Sequence, residues 1–242
     1  MISKREVKYI QSLCQKKQRL ADRLFIVEGE KAVDELLLSQ WEVKQIYATA
    51  FWKATHQQVS VPVNEATMEQ LQQMSGLVTA RNVLALVQMP PEPEVASYPP
   101  NLTLVLDTIQ DPGNMGTLIR IADWFGISHI IASPTSADVY NPKVVQASMG
   151  SFLRVTVMYA ELEPWLREYP HPILGAMMKG KSIYEVQPIQ PAALIIGNEG
   201  KGISDQLIPL IGVPVSIPRL GGAESLNAAV ASGILLSYLT RK

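Results

Sequence analysis

Apolar positions along the chain follow two periodicities. Near the N-terminus Tyr9, Ile10, Leu13 and Cys14 recur at helical spacing, which predicts an amphipathic helix with its lysines outside. Phe25-Ile26-Val27 reads as a short strand, Gly29 as a turn, and Ala32, Val33, Leu36 and Leu37 as the inner face of a second helix. Val43 to Ala48 reads as a strand. Thr67 to Met74 reads as a helix, with Thr67 and Gln70 at capping-box spacing and Gly76 as its stop. Val83 to Val87 is a last strand of what reads as a small alternating α/β unit.

A second alternating series follows. Leu102 to Leu106 is a continuous apolar run, Met115 to Phe125 has helical period, and Ile127 to Ala132 is a strand. Asn141-Pro142 reads as a cap and first-turn proline opening a helix to Met149. Leu153 to Met158, Ile173 to Met177, Ala193 to Ile196 and Val213 to Ile217 are further strands, and Leu226 to Leu239 a terminal helix. Wholly apolar strands between helices imply a parallel sheet covered on both faces, whose ligands sit at the carboxyl ends of strands. Between the two series lies MPPEPEVASYPPN, residues 89–101, with five of the 17 prolines. The division is therefore a domain over 1–89, a proline-rich linker over 90–100, and a larger domain over 101–242.

Composition narrows the chemistry. At 242 residues, 47% hydrophobic and 18% charged, the chain is long enough for a real core, and wholesale disorder is excluded. It has no apolar run of membrane-spanning length and no apolar signal core near its start, so a cytoplasmic protein is expected. One cysteine and three scattered histidines provide no metal spacing, and no metal is expected. Net charge is −1, yet residues 1–23 carry a net +5. That basic segment is a candidate phosphate-binding footprint, a solvated helix face being the plainer explanation.

Gly175 to Ser182 matches the pattern G-x-x-x-x-G-K-[ST], but Pro188 follows too soon for the helix a phosphate loop requires. Three other segments gather polar residues at strand ends. The first runs from Asp107 through Asn114 and Gly116 to Arg120 and Ala122, with the arginine inside an apolar stripe, either functional or paired with an acid such as Asp123 or Glu199. The second is Gly197-Asn198-Glu199-Gly200-Lys201-Gly202. The third is Ile217-Pro218 followed by Ser225-Leu226-Asn227-Ala228-Ala229, where Ser225 or Asn227 caps the last helix.

In this order the three segments resemble the motifs of the SpoU (TrmH) family of SPOUT methyltransferases, over residues 101–242. Phe25 to Lys31, with the basic helix before it, resembles the small substrate-binding domain that precedes many such enzymes. The resemblance implies a C-terminal parallel-sheet trefoil-knot domain, homodimeric through that domain, behind a small N-terminal α/β substrate-binding domain. It implies methyl transfer from S-adenosylmethionine to a ribose 2′-hydroxyl of ribosomal RNA or transfer RNA, the former favoured. A non-catalytic RNA-binding protein retaining the fold is the alternative. Carried over by motif position, Asn114, Arg120, Glu199, Ser225 and Asn227 form the catalytic group. Gly175, Gly197, Gly200, Ile217, Pro218 and Leu226 hold the cofactor. Lys4, Lys8, Lys16, Lys17, Arg19 and Arg23 are the expected phosphate contacts to RNA.

Overall fold

A computed structural model describes residues 2–91 and 101–241, so most of the expected linker, 92–100, lies outside the described residues. The chain forms two compact units: residues 2–91 together with 138–153, and residues 101–137 together with 154–241.

In the first unit Ser3 opens α1 (Lys4–Ser12) by accepting the Glu6 amide at 3.1 Å. Helix α2 (Lys16–Asp22) follows, and Arg23, left-handed at φ 54°, turns the chain into β1 (Leu24–Glu28). Gly29 takes φ 101°, a conformation that a side chain resists, and starts α3 (Glu30–Leu37). Strand β2 (Val43–Ala48), α4 (Ala50–Thr55), β3 (Val63–Glu65), α5 (Met68–Met74) and β4 (Val83–Gln88) complete the series. The capping box at α5 forms in both directions, with Gln70 N donating to Thr67 Oγ1 at 3.2 Å and Thr67 N to Gln70 Oε1 at 3.0 Å. The sheet order is β1-β4-β2-β3, antiparallel except for β2 with β3. Ile10, Leu13, Ile26, Leu71, Met74 and Leu84 pack into one core. Helix α1 turns Val7 and Ile10 inward and leaves Tyr9 at the surface, a rotation from the expected stripe. The short β3 and α4 carry no periodic signal; pairing of Ile46 with Val63 defines the strand.

The chain continues through β5 (Leu102–Leu106), α6 (Pro112–Trp124), β6 (His129–Ala132) and α7 (Pro142–Ser148), the last of these part of the first unit. Then come β7 (Thr156–Tyr159), α8 (Leu162–Glu168), β8 (Ile173–Ser182), β9 (Ala192–Ile196), β10 (Val213–Ser216) and α9 (Ala228–Leu239). The second unit's sheet runs β10-β8-β9-β5-β6-β7 with every pair parallel. Every residue of β5 and β9 is buried, as continuous apolar runs in a doubly covered sheet require. From β5 the chain moves to its neighbour β6, whereas from the adjacent β9 it leaves for β10 at the opposite edge. These connections diverge, so a crevice opens at the carboxyl ends of β5 and β9.

Residues 138–153 belong to the first unit, with an ion pair and an aromatic cluster among their contacts. Arg19 pairs with Asp138 at 2.5 Å, and the Phe25 ring lies 4.8 Å from Tyr140 and 6.0 Å from Phe152. Gly175 to Ser182 belongs to β8 and leads into a single 3₁₀ turn, Ile183–Glu185, so no helix amides stand ready for a phosphate. Among the described residues no helix is long and apolar enough to cross a membrane, and no group of acidic, His and Cys side chains could hold a metal ion.

Candidate active site

The crevice between β5 and β9 is built from the turns that end those strands. Asp107 is 3% exposed and accepts from Thr108 Oγ1 at 3.0 Å and from Ser204 N at 2.7 Å. Thr108 adopts φ 58°, and its amide donates to Ser133 Oγ at 2.8 Å. A branched residue in the left-handed region is strained, and such strain persists where surrounding bonds over-determine it. Across the crevice Gly197 lets the loop fold back on itself: a Cβ there would stand 2.3 Å from the Gly202 carbonyl carbon.

Helix α6 starts one turn earlier than its apolar period suggests. Asp111 is the N-cap and accepts the Asn114 amide at 2.7 Å, placing Asn114 in the first turn. Asn227 caps α9, its Oδ1 accepting from Ala229 N at 3.0 Å and Val230 N at 3.2 Å. Two helix starts thus face one loop carboxylate. Asn114 Nδ2 donates to Glu199 Oε1 at 2.5 Å, and Asn227 Nδ2 donates to Asn114 Oδ1 at 2.9 Å. Both carboxamides have their orientation set by these partners. Glu199 Oε2 has no hydrogen-bond partner among the described residues.

Asn114, Glu199 and Asn227 are therefore brought together, whereas two other expected members make no hydrogen bond to them among the described residues. Arg120 does not lie in the apolar stripe of α6. It shares the exposed stripe with Gly113, Thr117 and Trp124, because positions three and four apart share a helix face. It makes no ion pair among the described residues; Asp123 pairs with Arg154 at 2.8 Å instead. Ser225 is exposed in the loop before α9 and is not the cap.

Of the expected cofactor positions, Gly197 directly follows β9, Ile217 and Pro218 directly follow β10, and Leu226 directly precedes the Asn227 cap of α9. Residues 217–226 make no backbone–backbone hydrogen bond outside the strands among the described residues, and of their main-chain groups the Ala223 carbonyl accepts from Arg219 Nη1 at 3.3 Å, which leaves others to read a ligand. That suits an adenosine held by main-chain contacts. The Gly200 amide is spent on Asn198 Oδ1 at 3.0 Å. Gly175 is buried, and a Cβ there would come within 2.4 Å of Ile211 Cδ1, so packing alone accounts for this glycine.

In the first unit Lys4, Lys8, Lys16 and Lys17 are exposed. Arg19 departs from expectation. It is 1% exposed, and its guanidinium also donates to the carbonyls of Leu13 at 2.9 Å and Cys14 at 2.8 Å, so it cannot reach a phosphate. Arg23 is half-buried and donates to the Pro90 carbonyl. A cleft of about 480 Å³ in this unit, bordered by Gly29, Lys31, Arg81, Asn82, Gln146 and Met149, adds two exposed cations, Lys31 and Arg81, that charge counting did not single out. The signal for it was Gly29 in the Glu28 to Lys31 stretch. Glu28 at its floor is 8% exposed, and burial raises its carboxyl above the ordinary range against the pull of Ser75, Gly76 and Arg81.

Residues 101–237 match the profile of the SpoU rRNA methylase family, and residues 4–85 that of an MRM3-like substrate-binding domain. The 23S rRNA (guanosine(2553)-2′-O)-methyltransferase RlmP of Bacillus subtilis is 30% identical over 239 residues, 97% of this chain and 95% of that one. A Porphyromonas gingivalis protein assigned to the TrmH family of RNA methyltransferases has a structure that superposes with TM-score 0.86 and 38% identity, covering 99% and 98% of the two chains. The SpoU methyltransferase AviRb of Streptomyces viridochromogenes, in complex with S-adenosylmethionine, gives TM-score 0.86 and 26% identity over 98% and 97%.

Proposed function

Because the chain belongs to the SpoU rRNA methylase family, we propose that it transfers a methyl group from S-adenosylmethionine to a ribose 2′-hydroxyl of ribosomal RNA. The observation that carries this is the hydrogen-bonded set Asn114–Glu199–Asn227 at the diverging ends of β5 and β9. Bound S-adenosylmethionine supplies an electrophilic methyl group. The chain's part is to hold the attacking oxygen in line with it, and such alignment accounts for much of the acceleration in a bimolecular transfer. The free Glu199 oxygen accepts from the sugar, and the two asparagines keep that carboxylate in place. Arg120 is a permanent cation, so it serves as a phosphate anchor for the target nucleotide, with proton removal left to phosphate or water.

The exposed lysines of α1 and α2, with Lys31 and Arg81 at the cleft, supply phosphate contacts that position RNA without reading its sequence. The second unit is the dimerising part. Trp124 on α6 is 83% exposed and Val230 on α9 is 53% exposed, apolar side chains left open on two helices that pack together. A trefoil knot formed by the C-terminal segment is inferred from the family alone. The test is incubation of unmodified ribosomal RNA with the protein and radiolabelled S-adenosylmethionine, then mapping of ribose methylation. One methylated ribose is expected, formed far more slowly but still measurably by Glu199→Ala. Cofactor binding without methyl transfer to any ribosomal or transfer RNA would refute the reading.

A further inference from the structure

Glu199 sits in a short loop between glycines, a poor place from which to aim a carboxylate. Its neighbour Asn198 compensates with an unusual number of bonds. Asn198 N donates to Gly202 O at 3.0 Å, and its own carbonyl accepts from Gly202 N at 2.8 Å, closing the loop. Its side-chain Oδ1 accepts from Gly200 N at 3.0 Å and Lys201 N at 3.1 Å, while Nδ2 donates to the Thr108 carbonyl at 2.9 Å. Only one orientation of the carboxamide satisfies all three side-chain bonds. The carbonyl it reaches is offered by the strained left-handed Thr108, which Ser133 and Asp107 hold in place. Asp107 binds the far side of the same loop through Ser204 N.

We propose that Asn198 is a positioning residue for the reaction. By tying the turn after β9 to the carbonyl of Thr108, it fixes Glu199 at hydrogen-bond distance from Asn114. This rests on the methyltransferase function above. The loop contributes no large apolar side chain at 197–202, so between the Asp107 N–Ile196 O bond before it and the buried Ile203 after it these polar bonds set its register against β5. Losing the Thr108 tether leaves the loop folded on its own amides but free to shift, and a displacement of about 1 Å at a reacting group is enough to lower a rate ~100-fold.

The discriminating variant is Asn198→Asp. It keeps the shape and the acceptor for the Gly200 and Lys201 amides but sets an anionic oxygen against the Thr108 carbonyl. Expected are a kcat lower by ~10- to 100-fold, with KM for RNA and S-adenosylmethionine affinity near wild type, because only alignment is lost. In a Glu199→Ala background the same change should lower kcat no further, since what it positions is gone. A readout independent of turnover is the side-chain amide resonance of Asn114, which should move toward its free position in Asn198→Asp. An unmoved resonance, an equal loss of kcat in the Glu199→Ala background, or loss of S-adenosylmethionine binding would each overturn the proposal. A wild-type protein with no methyl transfer would refute the proposed function, and the Asn114 resonance would still decide the positioning role.

Discussion

Replacing Arg19 with alanine separates two roles that sequence alone confounds. Its side chain is 1% exposed, pairs with Asp138 at 2.5 Å through Nη2 and 3.2 Å through Nε, and also satisfies the carbonyls of Leu13 and Cys14. Removing one partner of a buried pair costs about 3–5 kcal/mol, because the other charge is left unpaired out of water. The Asp138 side chain is 11% exposed, so some solvent reaches it, and the lower end of that range, about 3 kcal/mol, applies. For a unit of roughly 100 residues that lowers the melting temperature by about 12–24 °C, since each kcal/mol shifts it by about 4–8 °C. Urea unfolding followed by tryptophan fluorescence reports on it, as Trp41 and Trp52 both lie in the first unit. Asp138→Asn should destabilise as well, and the two changes together should cost much less than their sum. RNA affinity of the folded Arg19→Ala protein should keep its salt dependence. A stability loss below about 1 kcal/mol, the range of an exposed pair, together with a salt slope reduced by about one, would refute the buried role and restore Arg19 as a phosphate contact.

Other outcomes follow from the same geometry. Gly197→Ala places a methyl 2.3 Å from Gly202 backbone, which cannot yield, so loss of about 1–3 kcal/mol and of S-adenosylmethionine binding by calorimetry is expected. Gly175→Ala meets the Ile211 side chain, Cδ1 at 2.4 Å and Cγ1 and Cγ2 at 3.0 Å, rather than backbone, and should be milder. Neutralising Lys4, Lys8, Lys16 and Lys17 to glutamine should weaken RNA binding and flatten its salt dependence, leaving S-adenosylmethionine affinity unchanged in the same titrations. Lys31→Glu with Arg81→Glu should act likewise if the cleft takes RNA, and unchanged RNA affinity would exclude the cleft. Glu28 has its folded pKa raised, chiefly by burial, so it favours the folded state below the ordinary carboxylate range. That contribution is lost as pH rises through the raised value. Glu28→Gln should remove this decline from the denaturation midpoint measured against pH.

The sequence by itself determined what depends on neighbours along the chain. Apolar runs at Leu102 to Leu106 and Ala193 to Ile196 read as buried strands of a covered sheet, and both are wholly buried. The Thr67 capping box and the Asn141-Pro142 helix start are bonds across three residues or fewer, legible without any fold. Asn114, Glu199 and Asn227 were readable as polar residues at strand and helix ends, though not as mutually bonded. Only the tertiary structure decided that. Asn114 and Glu199 are 85 residues apart, and the strand order that brings β9 beside β5 leaves no local trace. Arg19 looked like its basic neighbours because its partner Asp138 lies 119 residues away. The return of residues 138–153 to the first unit is hidden for the same reason, as is Arg120's place on the solvent side of α6. Local chemistry chooses the elements, whereas long-range burial of charge and apolar surface chooses which of them meet.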